Sequence, residues 1–324
     1  MENFNHFFAS ANSADGFLNN FKYINNENKK GYQYILKGGP GTGKSTLLKT
    51  IAKHFENLGE TIEYFHCSSD PKSLDGVRLK NRNISLVDGT APHITECQIP
   101  SIKDEIINLG EYIENSIKKQ EEKIRYFLHK KSDSYMLANN YLSSLKPIFD
   151  SKIFIDKNST KENKNSILLK TLNLKRKEFE FFERKLFINY FSSDGIKELE
   201  NSGFKTINLE CNFYQDNLNI LELKNKLYNL KISYVLCPNL INPEYYDAII
   251  IPSLKVIIKS SSPYQSRDKN INFLLTSSIK FAGEKIEEAI TFHKEVEKFY
   301  INSMNFSKIN KLTKLLIKKI EKQF

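Results

Sequence analysis

Short apolar runs alternate with amphipathic stretches along the first hundred residues, the pattern of a sheet crossed by helices. Tyr32-Gln33-Tyr34-Ile35-Leu36 predicts a strand. Leu47, Leu48, Ile51, Phe55 and Leu58 then recur at helical spacing, and Gly59 supplies the stop. Thr61 to Cys67 predicts a second strand, and Ile84 to Val87 a third. From Ser101 to Lys146 the spacing turns helical. Ile106, Ile107, Ile113, Ile117, Ile124, Phe127 and Leu128 approximate an apolar stripe, and Lys118 to Arg125 form a charged face, so a helical hairpin is expected. Glu284 to Lys322 repeats that character. Asp150 to Ser166 is polar and rich in Lys, Asn and Ser, and is expected to be a loop or linker.

Between the first strand and its helix lies Gly38-Gly39-Pro40-Gly41-Thr42-Gly43-Lys44-Ser45-Thr46, which satisfies the phosphate-loop pattern G-x-x-x-x-G-K-[ST]. Glycines let successive N–H groups turn toward phosphate oxygens, and the following helix presents its positive end to them. In this pattern Lys44 reaches the β- and γ-phosphates and Ser45 holds Mg²⁺. The third strand ends in Val87-Asp88-Gly89, where Asp88 is placed to serve the metal's water shell. The expected catalytic set is Lys44, Asp88 and His93, with ATP and Mg²⁺ as cofactors. His93 is named because it follows the Asp88 turn at a distance suited to water positioning. Asp70 and Asp75 are weaker candidates near the γ-phosphate, or shapers of the Ser-Ser-Asp-Pro turn. Gly89 stands where many ATPases carry a glutamate, and Glu96 is the candidate substitute.

The chain also reads as a tandem repeat. Phe8-Ala9-Ser10 leads to Ser13-Ala14-Asp15-Gly16-Phe17, and Phe187-Ile188-Asn189 leads to Ser192-Ser193-Asp194-Gly195-Ile196. Ile232 to Cys237 matches the strand ending at Cys67, Asp247-Ala248-Ile249 matches Asp75-Gly76-Val77, and Lys255 to Ile258 matches the third strand. Ser262-Pro263-Tyr264 answers Ala91-Pro92-His93. The second phosphate loop is lost: Glu210 to Asn219 contains no glycine. By sequence spacing Asn217 stands for Lys44, Leu218 for Ser45 and Lys259 for Asp88. The expected domains are an active one over residues 1–180 and a degenerate one over 181–324.

The first-half blocks, with His66-Cys67-Ser68-Ser69-Asp70-Pro71, Val87-Asp88-Gly89-Thr90-Ala91-Pro92-His93 and Asp104-Glu105-Ile106-Ile107-Asn108-Leu109-Gly110, resemble a bacterial family of tandem-duplicated P-loop ATP-binding proteins without an assigned substrate. The resemblance implies an α/β fold of two P-loop NTPase-like three-layer α/β/α domains, with mainly parallel sheets and helical hairpin insertions. Members commonly keep a second P-loop, and this chain departs from that.

Composition changes the picture little. The 324 residues suffice for two domains, and 40% of them are hydrophobic. The N-terminus shows no signal-peptide pattern, and no apolar run is long enough to cross a membrane. Four scattered cysteines read as reduced thiols of a cytoplasmic protein rather than a zinc site. The net charge of +10 raises nucleic acid as a partner. The excess is carried by lysine spread over the chain, so nucleic acid is not favoured over an unidentified protein or small molecule. Three functions compete: an Mg²⁺-dependent ATPase, a small-molecule kinase drawing on Arg78, Arg82 or Arg125, and a non-hydrolysing nucleotide-dependent scaffold. No [NT]-K-x-D motif for reading guanine follows Asp88.

Overall fold

The computed structural model describes residues 5–25, 31–159, 172, 174, 181–200, 203–266 and 268–323. Strands β1 (His6–Phe7), β2 (Ser10–Ser13) and β3 (Gly16–Asn19) open the chain. They are followed by β4 (Tyr32–Lys37), α1 (Lys44–Asn57), β5 (Ile62–His66), β6 (Leu74–Leu79), β7 (Ile84–Asp88) and β8 (Asp104–Asn108). After helix α2 (Glu121–Asn158) a second series runs through β9 (Glu183–Lys185), β10 (Asn189–Ser192), β11 (Gly195–Glu198), β12 (Lys205–Asn208), α3 (Phe213–Asn229), β13 (Tyr234–Pro238), β14 (Tyr246–Ile251) and β15 (Val256–Lys259). Helices α4 (Lys269–Asn302) and α5 (Phe306–Lys322) close it.

The chain forms two compact units, each assembled from two stretches: Ile24–Leu137 with Lys285–Phe324, and Met1–Tyr23 with Ala138–Glu284. The boundary expected near residue 180 lies outside the described residues.

In the unit that carries the glycine-rich loop, the strands run in the order β5-β6-β7-β4-β8. β4 pairs in parallel with β7, Leu36 opposite Asp88, and in parallel with β8 on its other side. β6 runs antiparallel to both neighbours, with Gly76 opposite Val87. The sheet is therefore mixed, a correction to the mainly parallel expectation. The physical reason is connection length: a parallel crossover needs a dozen or more residues, and the turn from His66 to Leu74 is shorter. Reversing β6 brings its first residues, Leu74 and Asp75, to the edge where β4, β5 and β7 end.

The core of this unit is Tyr34, Leu36, Leu47, Leu48, Ile51, Phe55 and Leu86, closed by Ile309, Leu316 and Ile320 of α5. Residues 104–108 are a strand rather than part of a helical hairpin. Ile107 is buried and Ile106 is exposed, because an edge strand beside β4 needs only one apolar face, while Asp104 is buried accepting from the N–H groups of Gln98 and Ile99. A single helix, α2, follows instead of a hairpin and runs through Asp150 to Asn158, where a linker was expected; residues 160–166 lie outside the described residues.

The other unit orders its strands β12-β15-β14-β13-β9, so β13-β14-β15-β12 repeats β5-β6-β7-β4. Backbone landmarks fix the correspondence. Asn83 and Lys255, which precede β7 and β15, have φ of 49° and 52°, and Gly59 and Lys231, after α1 and α3, have φ of 83° and 54°. The hairpins β2–β3 and β10–β11 also match: the Ser13 hydroxyl donates to Gly16 O at 2.8 Å and the Ser192 hydroxyl to Gly195 O at 3.0 Å. With these anchors Ser260, not Lys259, takes the place of Asp88, and Cys237 matches Phe65 rather than Cys67. Matching by residue type, cysteine to cysteine and apolar run to apolar run, misses both, whereas strand register aligns them.

Candidate functional site

The loop between β4 and α1 is shaped by glycines in the left-handed region, Gly41 at φ 70° and Gly43 at φ 90°. Side chains resist this conformation, and it turns backbone N–H groups toward one point. Gly43 is the N-cap of α1, and among the described residues no side chain caps the helix. Its first-turn N–H groups, with their positive end of the helix dipole, are thus left for an anion.

The charged groups converge on the loop. The Lys44 ammonium donates to Gly38 O at 2.6 Å and Gly39 O at 2.9 Å, and stands 3.5 Å from Asp88 Oδ2. Asp88 Oδ1 accepts from the Thr90 N–H at 2.8 Å, and the Thr90 hydroxyl donates to Gly38 O at 2.9 Å. Ser45 Oγ accepts from the Leu74 N–H at 3.0 Å, tying α1 to the start of β6. The hydroxyl retains its own proton and a lone pair, so it can still meet a cation. Among the described residues no group of three or more His, Cys, Asp or Glu side chains could hold a metal by itself. An Mg²⁺ here must share its shell with water and phosphate, as that ion commonly does.

Asp75 lies beside this cluster. Gly76 pairs with Val87, and Asp75 and Asp88 each lie one residue beyond that pair, on β6 and β7. Asp75 is buried, and its Oδ2 has no hydrogen-bond partner among the described residues, although His93 Nε2 stands 3.3 Å away. Burial, and secondarily the Asp88 charge, push its carboxyl well above the usual range, while the Cys67 thiol and Lys44 pull the other way. Burial lowers His93 to about 4, so it is a neutral imidazole near pH 7 and its contact with Asp75 is not an ion pair.

The C-terminal helices cover the loop from the other side. A Cβ on Gly39 would lie 2.9 Å from the Tyr300 ring, and one on Gly41 would lie 2.6 Å from Glu297 O. The Glu297 carboxyl is raised by burial and by Asp70; the Gly41 N–H that it faces lowers it. The remaining sequence candidates are structural or peripheral. Glu96 is an exposed partner of Lys37 at 2.8 Å. Asp70 Oδ2 accepts from the Ser73 hydroxyl and shapes its turn. Sequence reasoning missed Glu297 and Tyr300, since no local pattern links the end of α4 to a loop so far back in the chain.

One family model matches. It is nephrocystin 3, N-terminal, over residues 12–134. That stretch holds the glycine-rich loop, Asp75, Asp88 and His93, and is under half of the chain. No curated protein and no solved structure matches. Among the described residues no helix is long and apolar enough to cross a membrane.

Proposed function

We propose that this chain binds one ATP with Mg²⁺ at Gly38–Thr46 and hydrolyses its terminal phosphate, and that the second sheet is a P-loop copy that has lost its nucleotide. The observation that carries the reading is the uncapped N-terminus of α1, set behind a left-handed glycine loop with Lys44, Ser45 and Asp88 around it. The loop N–H groups and Lys44 would hold the phosphates, Ser45 and Asp88 the metal. Bound Mg²⁺ supplies charge neutralisation at the phosphates. The Gly41 N–H now bonds the Glu297 carboxylate; a phosphate oxygen bound there would compete for it and loosen the contact between α4 and the loop.

Calorimetry with ATP–Mg²⁺ is expected to give one site per chain. Lys44→Ala is expected to weaken binding at least about tenfold, about 1.4 kcal/mol, with the fold retained. Two sites per chain, or an unaffected variant, would overturn the reading. Release of free phosphate, rather than phosphate on an acceptor, separates the hydrolase from the kinase.

A further inference from the structure

We propose that Asp75 is a further catalytic residue, the hydrogen-bond acceptor that holds the water attacking the terminal phosphate of the bound nucleotide. This rests on the nucleotide reading above. Three observations carry it. The first is position: β6 is reversed, so Asp75 reaches the edge that holds Lys44 and Asp88, each aspartate lying one residue beyond the Gly76–Val87 pair. The Asp88 charge acts on Asp75, and like charges on neighbouring strands are destabilising unless something polar lies between them.

The second is an orphan atom. The Asp75 side chain is only 8% exposed, and its Oδ2 lacks a hydrogen bond among the described residues. A buried polar atom left unsatisfied is destabilising, and native proteins keep such atoms for a reason.

The third is a control supplied by the molecule itself. The counterpart aspartate in the second sheet, Asp247, is equally buried but fully engaged. The Asn239 amide donates to Oδ1 at 2.7 Å, and the Asn189 amide and Tyr264 hydroxyl donate to Oδ2 at 2.7 Å and 2.6 Å. The copy without a phosphate loop has closed its aspartate with three donors. Among the described residues, the copy with the loop sets only the Cys67 thiol, a weak donor, and the imidazole of His93 within hydrogen-bonding reach of Asp75.

In the step, the water oxygen bonds to the γ-phosphorus as the bond to the β–γ bridging oxygen breaks. The electron pair leaves with ADP, and the water proton passes to an oxygen of the released phosphate. Asp75 fixes the water's direction. His93, whose Nε2 stands 3.3 Å from Asp75 Oδ2, acts as a positioning residue.

The test is Asp75→Asn in the full-length chain, read by nucleotide affinity, single-turnover hydrolysis and thermal midpoint. The expected result is affinity within about threefold of wild type, a midpoint equal or higher, and hydrolysis slowed about a hundredfold, the scale of a misplaced reactant. Cys67→Asn, which supplies the donor that Asn239 gives Asp247, is expected to raise the midpoint and slow hydrolysis in the same direction. It also keeps the test open should Asp75→Asn not fold. Normal hydrolysis in a folded variant that binds ATP overturns the role of Asp75 while leaving the nucleotide reading intact. Wild-type protein that binds ATP without hydrolysing it overturns it too. Wild-type protein that binds no ATP overturns both.

Discussion

The two sheets share strand order and differ at the edge where chemistry would occur. In the first, α1 begins uncapped at Lys44, Ser45 accepts from the Leu74 N–H, and Asp88 closes β7. In the second, the Asn212 side chain accepts from the Gln215 N–H and caps α3. Asn217 accepts from the Tyr246 N–H at 2.6 Å, as Ser45 does from Leu74 N–H, so Asn217 occupies the place of Ser45. Asp216 then falls at the position of Lys44, a correction to the spacing-based alignment, which the missing loop residue had shifted. Asp216 accepts from the N–H groups of Cys211 and Ser261. Phe213, at the start of α3, is fully buried and packs on Phe149 and Tyr245. The helix start that has no side-chain cap in one copy is capped by a side chain in the other, and its polar groups bond to protein partners. Without a glycine loop, the second sheet satisfies its helix start and sheet edge with internal hydrogen bonds, because N–H groups there must bond to something.

The comparison breaks first at the loop. Gly41→Ala sets a Cβ 2.6 Å from Glu297 O in a residue already at φ 70°. The backbone of α4 or the loop must shift, so a stability loss of about 3 kcal/mol is expected by urea unfolding, together with loss of nucleotide binding. An unchanged unfolding midpoint would mean that α4 does not rest on the loop.

His93 gives the next effect. Its pKa is lowered from 6.5 to about 4, so its contribution to stability is complete above pH 6.5 and lost as pH falls toward 4. Wild type is expected to lose about 2 kcal/mol through this group between pH 6.5 and 5. His93→Gln should flatten that limb in unfolding titrations. Equal acid sensitivity in the two proteins would show that the ring is not sheltered.

The paired aspartates sharpen the contrast at a smaller scale. Asp247→Asn leaves three donors facing one acceptor oxygen, and a loss of about 1–2 kcal/mol is expected. Asp75→Asn should cost nothing, because no comparable set of donors crowds it. Equal destabilisation of both variants would erase the difference between the copies.

The smallest expected effect is the absence of one. Asp216→Lys puts a lysine at the structural counterpart of Lys44. No second nucleotide site should appear by calorimetry, because the helix stays capped by Asn212 and Phe213 stays in place. A second binding event would refute the claim that internal capping, and not charge alone, closed the site.

The sequence by itself determined the strand–loop–helix of residues 32–59, the strand ending at Asp88, and the existence of the repeat. Each depends on local rules: alternation, helical spacing, glycines where φ is positive, and conserved order of short blocks within one chain. The tertiary structure decided the rest. Strand β6 was not legible as a strand because Asp75-Gly76-Val77 lacks the alternation of a half-exposed strand; all six of its residues are buried. Residues 104–108 read as helix because their spacing fits either period when the run is short. The alignment of the copies near Lys44 could not be set by counting, since a one-residue change in a loop shifts every later match, whereas sheet register cannot slip by one residue without turning its side chains to the wrong face. The covering of the loop by Glu297 and Tyr300 joins the ends of one unit across the chain. Such contacts follow from how helices pack on a sheet edge, and that packing is written in no local stretch of sequence.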